Sequence, residues 1–78
     1  MKDRVIQIIE ECSPYVELPE LTLETKIIDD LGYDSLCIIE LFEEIEEEFG
    51  VDCMNYADVY QALQTVGDLI EFIQEKKA

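Results

Sequence analysis

The sequence predicts an all-α fold: a small helical bundle of three longer helices and one short helix, with a long loop between helices one and two. Apolar residues recur at helical spacing in three separate segments, and no segment alternates as a strand would. The chain has 78 residues, 49% of them hydrophobic, which suits one small domain with one modest core. Residues 1–78 are therefore expected to form a single domain.

The first helix is predicted from Lys2 to about Cys12. Its apolar residues fall three and four apart and give one buried stripe, which comprises Val5, Ile8, Ile9 and Cys12. Ser13-Pro14 should end the helix, because proline disfavours helical geometry in the residue before it.

A long connection is expected from about Ser13 to Tyr33. Pro19 and the β-branched residues Thr22 and Thr25 interrupt helical periodicity there. We expect the loop to pack across the helices and to be anchored by its apolar side chains, which are too many for a disordered linker: Val16, Leu18, Leu21, Leu23, Ile27, Ile28 and Leu31. Tyr33 and Tyr56 are expected to be partly exposed.

The second helix should run from Asp34 or Ser35 to about Phe49, with Asp34 as N-cap and Gly50 as the residue after its end. At 100° per residue, one third of its circumference is apolar and is formed by Ile38, Leu41, Phe42, Ile45 and Phe49. The opposite face carries Glu40, Glu43, Glu44, Glu47 and Glu48. Leu36 lies near the centre of this glutamate face and is expected to be exposed.

Two further helices are predicted in the carboxyl-terminal third. The spacing of Tyr56, Val59, Tyr60 and Leu63 indicates a short third helix. Thr65 to Asp68 forms a weak capping box, after which Val66, Leu69, Ile70 and Ile73 make the stripe of the last helix. Lys76 and Lys77 suit the negative end of that helix dipole.

The charge of the chain is strongly negative and restricts its partners. The formal net charge is −15, and no cation lies between Ile27 and Glu75, where fourteen acids fall. Nucleic-acid binding and adsorption to an anionic membrane are disfavoured, and basic protein surfaces are favoured. An acidic surface that keeps a monomer soluble is the alternative interpretation. No apolar run predicts membrane insertion and the amino terminus does not resemble a signal peptide, so we expect a cytoplasmic protein.

Metal binding and disulfide bonding are not expected. The three cysteines, Cys12, Cys37 and Cys53, include no C-x-x-C pair, and the chain has no histidine, which disfavours a zinc site. A calcium loop beginning at Asp29 would place Leu31 at a ligand position, so that pattern fails as well. Free thiols in a reducing compartment are predicted.

Ser35 is a lone serine at the start of the second helix. A serine hydrolase is the weakest interpretation, because there is no histidine to act as a base and no nucleophile-elbow sequence. Taken alone, Ser35 could simply face solvent. Free N–H groups at the helix start would favour negative charge beside it, and Gly32 permits a close approach just before the helix.

The stretch Asp30-Leu31-Gly32-Tyr33-Asp34-Ser35-Leu36 resembles the phosphopantetheine site of acyl carrier proteins. The resemblance continues from Glu40 to Phe49 and extends over most of the chain. It implies a carrier and not an enzyme. Ser35 would bear 4′-phosphopantetheine derived from coenzyme A, which would hold acyl groups as thioesters, while Asp34 and Leu36 would support the attachment site.

The same resemblance implies partners and a cargo pocket. The partners would be a phosphopantetheinyl transferase and acyl-transferring or synthase enzymes with basic docking patches. They would contact Leu36, Glu40, Glu43, Glu44 and Glu47. In this family the core between helices two and three can open for an acyl chain, which makes Ile45, Val59 and Leu63 possible lining residues.

The sequence departs from the pattern of fatty-acid carriers in three places. Cys37 stands where an acid is common, Glu43 stands where an exposed apolar residue is common, and the segment 50–65 is longer and lacks the usual Ile-Pro-Asp turn. These departures leave fatty-acid, polyketide and other lipid pathways open, as well as an aminoacyl or peptidyl carrier. An unmodified acidic protein-interaction module, such as an inhibitor or nucleic-acid mimic, is the alternative from another class.

Overall fold

A computed structural model describes residues 2–14, 20–57 and 59–77. The helices are α1 (Lys2–Cys12), α2 (Ser35–Phe49), α3 (Val59–Ala62) and α4 (Val66–Lys77), with a 3₁₀ turn at Cys53–Asn55. The described part of the chain contains no strand, so the predicted fold class is confirmed. None of its helices combines the length and apolarity needed to cross a membrane.

Helix α1 buries the stripe that its sequence predicts. Val5, Ile8 and Ile9 are fully buried and Cys12 nearly so. The helix packs against α2 and α4, and α3 packs against α4, so one core lies between all four helices.

The connection before α2 is anchored by only some of its apolar side chains. Ile27 and Leu31 are fully buried and Leu21 is half-buried. Leu23 and Ile28, however, are 46% and 48% exposed, so the expectation that both anchor the loop is wrong. The loop coils into a turn over residues 26–32, and successive residues of a turn point in different directions, so that only part of the set faces inward. Val16 and Leu18 lie outside the described residues.

Tyr33 is buried, which corrects the expectation that it is partly exposed. Its side chain is 4% exposed, and its hydroxyl donates a hydrogen bond to the carbonyl oxygen of Ile9 at 2.5 Å. That carbonyl lies in the last turn of α1, where Ser13 N–H bonds to Glu10 instead. A helix leaves its last carbonyls without helical donors, and the Tyr33 hydroxyl satisfies one of them. Tyr56 is half-buried, as predicted.

The predicted short third helix is confirmed as α3, and an additional 3₁₀ turn precedes it. Helix α2 ends at Gly50, which adopts a left-handed conformation with φ of 72°. In the following turn, the amide of Asn55 donates to the Asp52 carboxylate at 2.7 Å. Tyr56 then packs edge-to-face on Phe72 of α4, with ring centroids 5.7 Å apart. This segment therefore joins α2 to α4 through packed side chains.

The start of α4 is joined to the loop by backbone contacts. Val66 N–H donates to Thr25 O at 2.9 Å and Gly67 N–H to Leu23 O at 2.8 Å, while Lys26 and Thr65 form an isolated antiparallel bridge. A Cβ atom on Gly67 would lie 2.9 Å from the Leu23 oxygen, so glycine is required by this close approach. A capping box has two reciprocal hydrogen bonds, and one of the predicted pair is present: Asp68 N–H donates to the Thr65 hydroxyl.

Candidate functional site

The amino terminus of α2 is fixed by Asp34. Its carboxylate accepts a hydrogen bond from Cys37 N–H at 2.9 Å, which confirms it as N-cap. This backbone hydrogen bond lowers the pKa of the Asp34 carboxyl below its usual range. Gly32, with φ of 70°, provides the left-handed turn that brings the chain into the helix start.

Ser35 is the first residue of α2 and is exposed to solvent. Its hydroxyl has no hydrogen-bond partner among the described residues. The neighbouring Asp34 carboxylate already accepts the capping hydrogen bond from Cys37 N–H, and the chain contains no histidine. The hydroxyl is thus accessible to another protein and has no histidine in this chain to activate it, which suits modification by a separate enzyme.

An apolar groove of about 160 Å³ begins at Ser35. Three of its residues follow Ser35 on the same helical face, at positions three, four and seven further along: Ile38, Ile39 and Phe42. Met54 of the 3₁₀ turn and Tyr60 of α3 form the other side. Ile39 is 47% exposed, Met54 60% and Tyr60 69%, so the groove is open to solvent along its rim.

Sequence reasoning did not assign Ile39, Met54 and Tyr60 to the site. The helical spacing of Ile39 from Ser35 was a sufficient signal for that residue. Met54 and Tyr60 come close to Ser35 only through the fold of the 50–60 segment, which no local pattern specifies.

The glutamate face lies beside the groove on α2. Leu36 at its centre is 72% exposed, as predicted. Glu40, Glu43 and Glu47 are exposed, whereas Glu44 is half-buried. At the α1 edge of this face, Glu48 accepts a hydrogen bond from Arg4 Nε at 2.5 Å. The anionic surface therefore extends from Leu36 to Glu47, and it ends at Glu48, whose charge is neutralised by Arg4.

The three residues expected to line a cargo pocket do not come together at one opening. Ile45 and Val59 are buried in the core. Leu63, which is also buried, lines a second cleft together with Tyr60. A pocket that used Ile45 or Val59 would require the core to open.

The cysteines have raised pKa values and do not form a reactive centre with the acids that the structure describes. Cys12, Cys37 and Cys53 are free thiols, and burial raises the pKa values of Cys12 and Cys53 to about 11. Partial burial also raises the pKa of Cys37. Thiols with raised pKa values are weak nucleophiles at neutral pH. No group of acids and cysteines within the described ranges is arranged to hold a metal ion.

Two comparisons with known proteins give matches over most of this chain. The family model described as "Phosphopantetheine attachment site" matches residues 3–73. The chain is also similar to the acyl carrier protein of Thermotoga maritima, with 43% identity over 61 residues, which cover 78% of this chain and 73% of that protein. Both matches span most of the helical bundle.

Proposed function

Since the chain belongs to the acyl carrier protein family, we propose that Ser35 is the residue that bears its 4′-phosphopantetheine. The family relation makes the protein a carrier of acyl groups on a covalent prosthetic group, and not a catalyst. The observation that supports Ser35 is its position. It is the exposed first residue of a helix, it lines an apolar groove, and its hydroxyl has no hydrogen-bond partner among the described residues.

The residues around Ser35 fit a phosphodiester. The first N–H groups of α2 and the positive end of its dipole favour negative charge at this position. Asp34 holds the helix start in place through its bond to Cys37 N–H. When bound, the prosthetic group supplies a terminal thiol that holds an acyl group as a thioester. Ser35 holds the phosphate, while Ile39 and Met54 give the arm and its cargo an apolar surface beside the attachment point.

The docking surface of the carrier is the exposed part of the glutamate face. Leu36 provides an apolar contact at its centre, surrounded by Glu40, Glu43 and Glu47, with the half-buried Glu44 at one side. Basic patches on a phosphopantetheinyl transferase and on acyl-transferring enzymes complement this charge. The pathway is fatty-acid synthesis or a related polyketide or lipid pathway in the cytoplasm, where the free thiols stay reduced.

The attachment site is tested by intact-protein mass after incubation with coenzyme A and a broad-specificity phosphopantetheinyl transferase. The unmutated protein should gain one phosphopantetheine, and Ser35→Ala should gain none while keeping its helical content. The chain has only one other serine, so Ser13→Ala is the matched control and should be modified normally. Modification of Ser35→Ala, or none of the unmutated protein, would refute the proposal.

The docking surface is tested by transferase kinetics at two salt concentrations. Glu40→Gln and Glu47→Gln should slow modification, with a smaller effect at high salt, because charges at an interface rim act mainly on encounter. Glu71→Gln on α4 removes the same charge from an exposed position outside this surface. An equal fall in modification rate in all three variants would show that the rate depends only on net charge. That result would contradict the proposed docking surface.

A further inference from the structure

Arg4 of α1 reaches across to α2 and contacts acids of both helices. Its Nε donates a hydrogen bond to the Glu48 carboxylate at 2.5 Å, and its Nη1 lies 4.0 Å from Oε1 of Glu11. The hydrogen bond to Glu48 raises the pKa of Arg4, and the charges of Glu11 and Glu44 act in the same direction. We refer to Glu11, Glu44 and Glu48 as the seam cluster, because they lie along the line where α1 meets α2.

The ion pairs of Arg4 add little to the stability of the fold. The side chains of Arg4, Glu11 and Glu48 are 37%, 53% and 40% exposed, and ion pairs in contact with water contribute little to the free energy of folding. The effect of Arg4 is instead on local charge. One guanidinium offsets part of the negative charge of three carboxylates.

The carboxyl end of α2 is the more attractive end for a cation. Its last turn carries Glu46, Glu47 and Glu48 and no basic residue, whereas its first turn carries no acid. The negative end of the helix dipole adds to the charge of these glutamates, while the positive end lies at Ser35. A basic partner guided by charge alone would therefore be drawn away from Ser35. Glu48 follows Ser35 by thirteen residues, which is about 20 Å along a helix.

We propose, on the basis of the carrier function above, that Arg4 is a positioning residue for basic partner enzymes. By pairing with the seam cluster, it weakens a competing docking mode between α1 and the carboxyl end of α2. Partners are then directed to the docking surface around Leu36 and Glu40, close to Ser35. Specific recognition commonly needs an element that disfavours the incorrect complex, as well as contacts that favour the correct one.

The kinetic test uses a broad-specificity phosphopantetheinyl transferase at saturating coenzyme A and low salt. Arg4→Gln removes the charge but keeps a side chain that can form hydrogen bonds. A transferase bound at the seam cluster holds Ser35 out of its active site, so part of the enzyme is held in unproductive complexes. Both kcat and KM for the carrier should therefore fall, by roughly twofold to fivefold for one surface charge. High salt should remove the difference.

Two further variants separate the position of the charge from its loss. Lys2→Gln removes one cation from the same helix, but Lys2 lines a cleft with Gly67 and Glu71 of α4 and lies apart from the seam cluster. Its kcat and KM should match those of the unmutated protein. Arg4→Lys keeps the charge and should also match. Melting temperatures of all variants are measured alongside.

The position of the partner is measured by broadening of backbone amide resonances when transferase is added without coenzyme A. In the unmutated protein, broadening should centre on Leu36 and Glu40. In Arg4→Gln it should extend to Glu11 and Glu48.

Three results would overturn the proposal while leaving the carrier function intact. The first is an unchanged pattern of broadening in Arg4→Gln. The second is the same kinetic change in Arg4→Gln and in either Lys2→Gln or Arg4→Lys. The third is a raised KM together with a lower melting temperature in Arg4→Gln, which would give Arg4 a packing role alone. No modification of the unmutated protein would refute the carrier function and this inference together.

Discussion

Two adjacent residues, Tyr33 and Asp34, complete the ends of different helices immediately before Ser35. The Tyr33 hydroxyl bonds to the Ile9 carbonyl at the end of α1, and the Asp34 carboxylate bonds to Cys37 N–H at the start of α2. The position of Ser35 thus depends on both helices.

Removal of the Tyr33 hydroxyl should destabilise the fold. Tyr33→Phe leaves the buried Ile9 carbonyl without a partner, which should lower the free energy of unfolding by about 1–3 kcal/mol. For a domain of this size, each kcal/mol corresponds to a fall of about 4–8 °C in melting temperature. Thermal melts followed by circular dichroism measure the effect, with Tyr60→Phe as an exposed control. Equal melting temperatures for Tyr33→Phe and the unmutated protein would show that the bond contributes nothing.

Ile45 and Leu36 lie on opposite faces of α2 and should respond differently to truncation. Ile45 is fully buried, so Ile45→Ala should cost about 2–5 kcal/mol as a core cavity. Leu36 is 72% exposed, so Leu36→Ala should change stability by less than about 0.5 kcal/mol and still slow modification by the transferase. Chemical denaturation and modification kinetics separate the two effects. An unfolded Leu36→Ala variant would contradict the orientation of α2.

At the scale of the element, the stability of α2 should depend on the ionisation of its N-cap. The hydrogen bond from Cys37 N–H lowers the pKa of Asp34 in the folded protein. The stabilisation is therefore present above the unfolded pKa and is lost as the pH falls through the lower, folded pKa. Because asparagine caps as well as aspartate but does not titrate in this range, Asp34→Asn should match the unmutated protein near neutral pH.

The stabilities of the Asp34→Asn variant and the unmutated protein should differ only at acid pH. Melting temperatures from pH 7 down to pH 2 should show the unmutated protein losing stability relative to Asp34→Asn below about pH 4, the ordinary range of an aspartate pKa. Glu71→Gln controls for the loss of one titrating carboxylate on the surface. If the Asp34→Asn and unmutated curves stayed parallel over the whole range, the charged cap would have no role in this helix.

At the scale of the whole molecule, the net charge of −15 should make stability depend on ionic strength. The acids between Ile27 and Glu75 repel one another in the compact state, and the described ion pairs of Arg4 and Lys76 are surface pairs of small value. Screening by salt should therefore raise the melting temperature, since the Debye length falls to about 10 Å at 0.1 M. Millimolar divalent cations should do the same by weak binding. A melting temperature indifferent to both would show that this repulsion is negligible.

The sequence alone determined the features that repeat locally. The apolar stripes of α1, α2 and α4 follow from spacing of three and four residues, and the start of α2 follows from Asp34, since a cap acts within a few residues of itself. The exposure of Leu36 follows from the same periodicity. Ser35 was predicted as the attachment residue from a short contiguous motif, Asp34-Ser35-Leu36 and the residues before it.

Only the tertiary structure decided what meets across the chain. Local periodicity did not indicate that Tyr33 reaches Ile9, or that Met54 and Tyr60 lie beside Ser35. It also did not show that Gly67 N–H donates to the Leu23 carbonyl oxygen, or that Lys26 and Thr65 form a bridge. These contacts join segments far apart in sequence. Which of them form depends on how all segments of the chain compete for burial and for hydrogen-bond partners. A local pattern fixes which face of a helix is apolar, but the packing of all helices and loops decides which residues that face contacts.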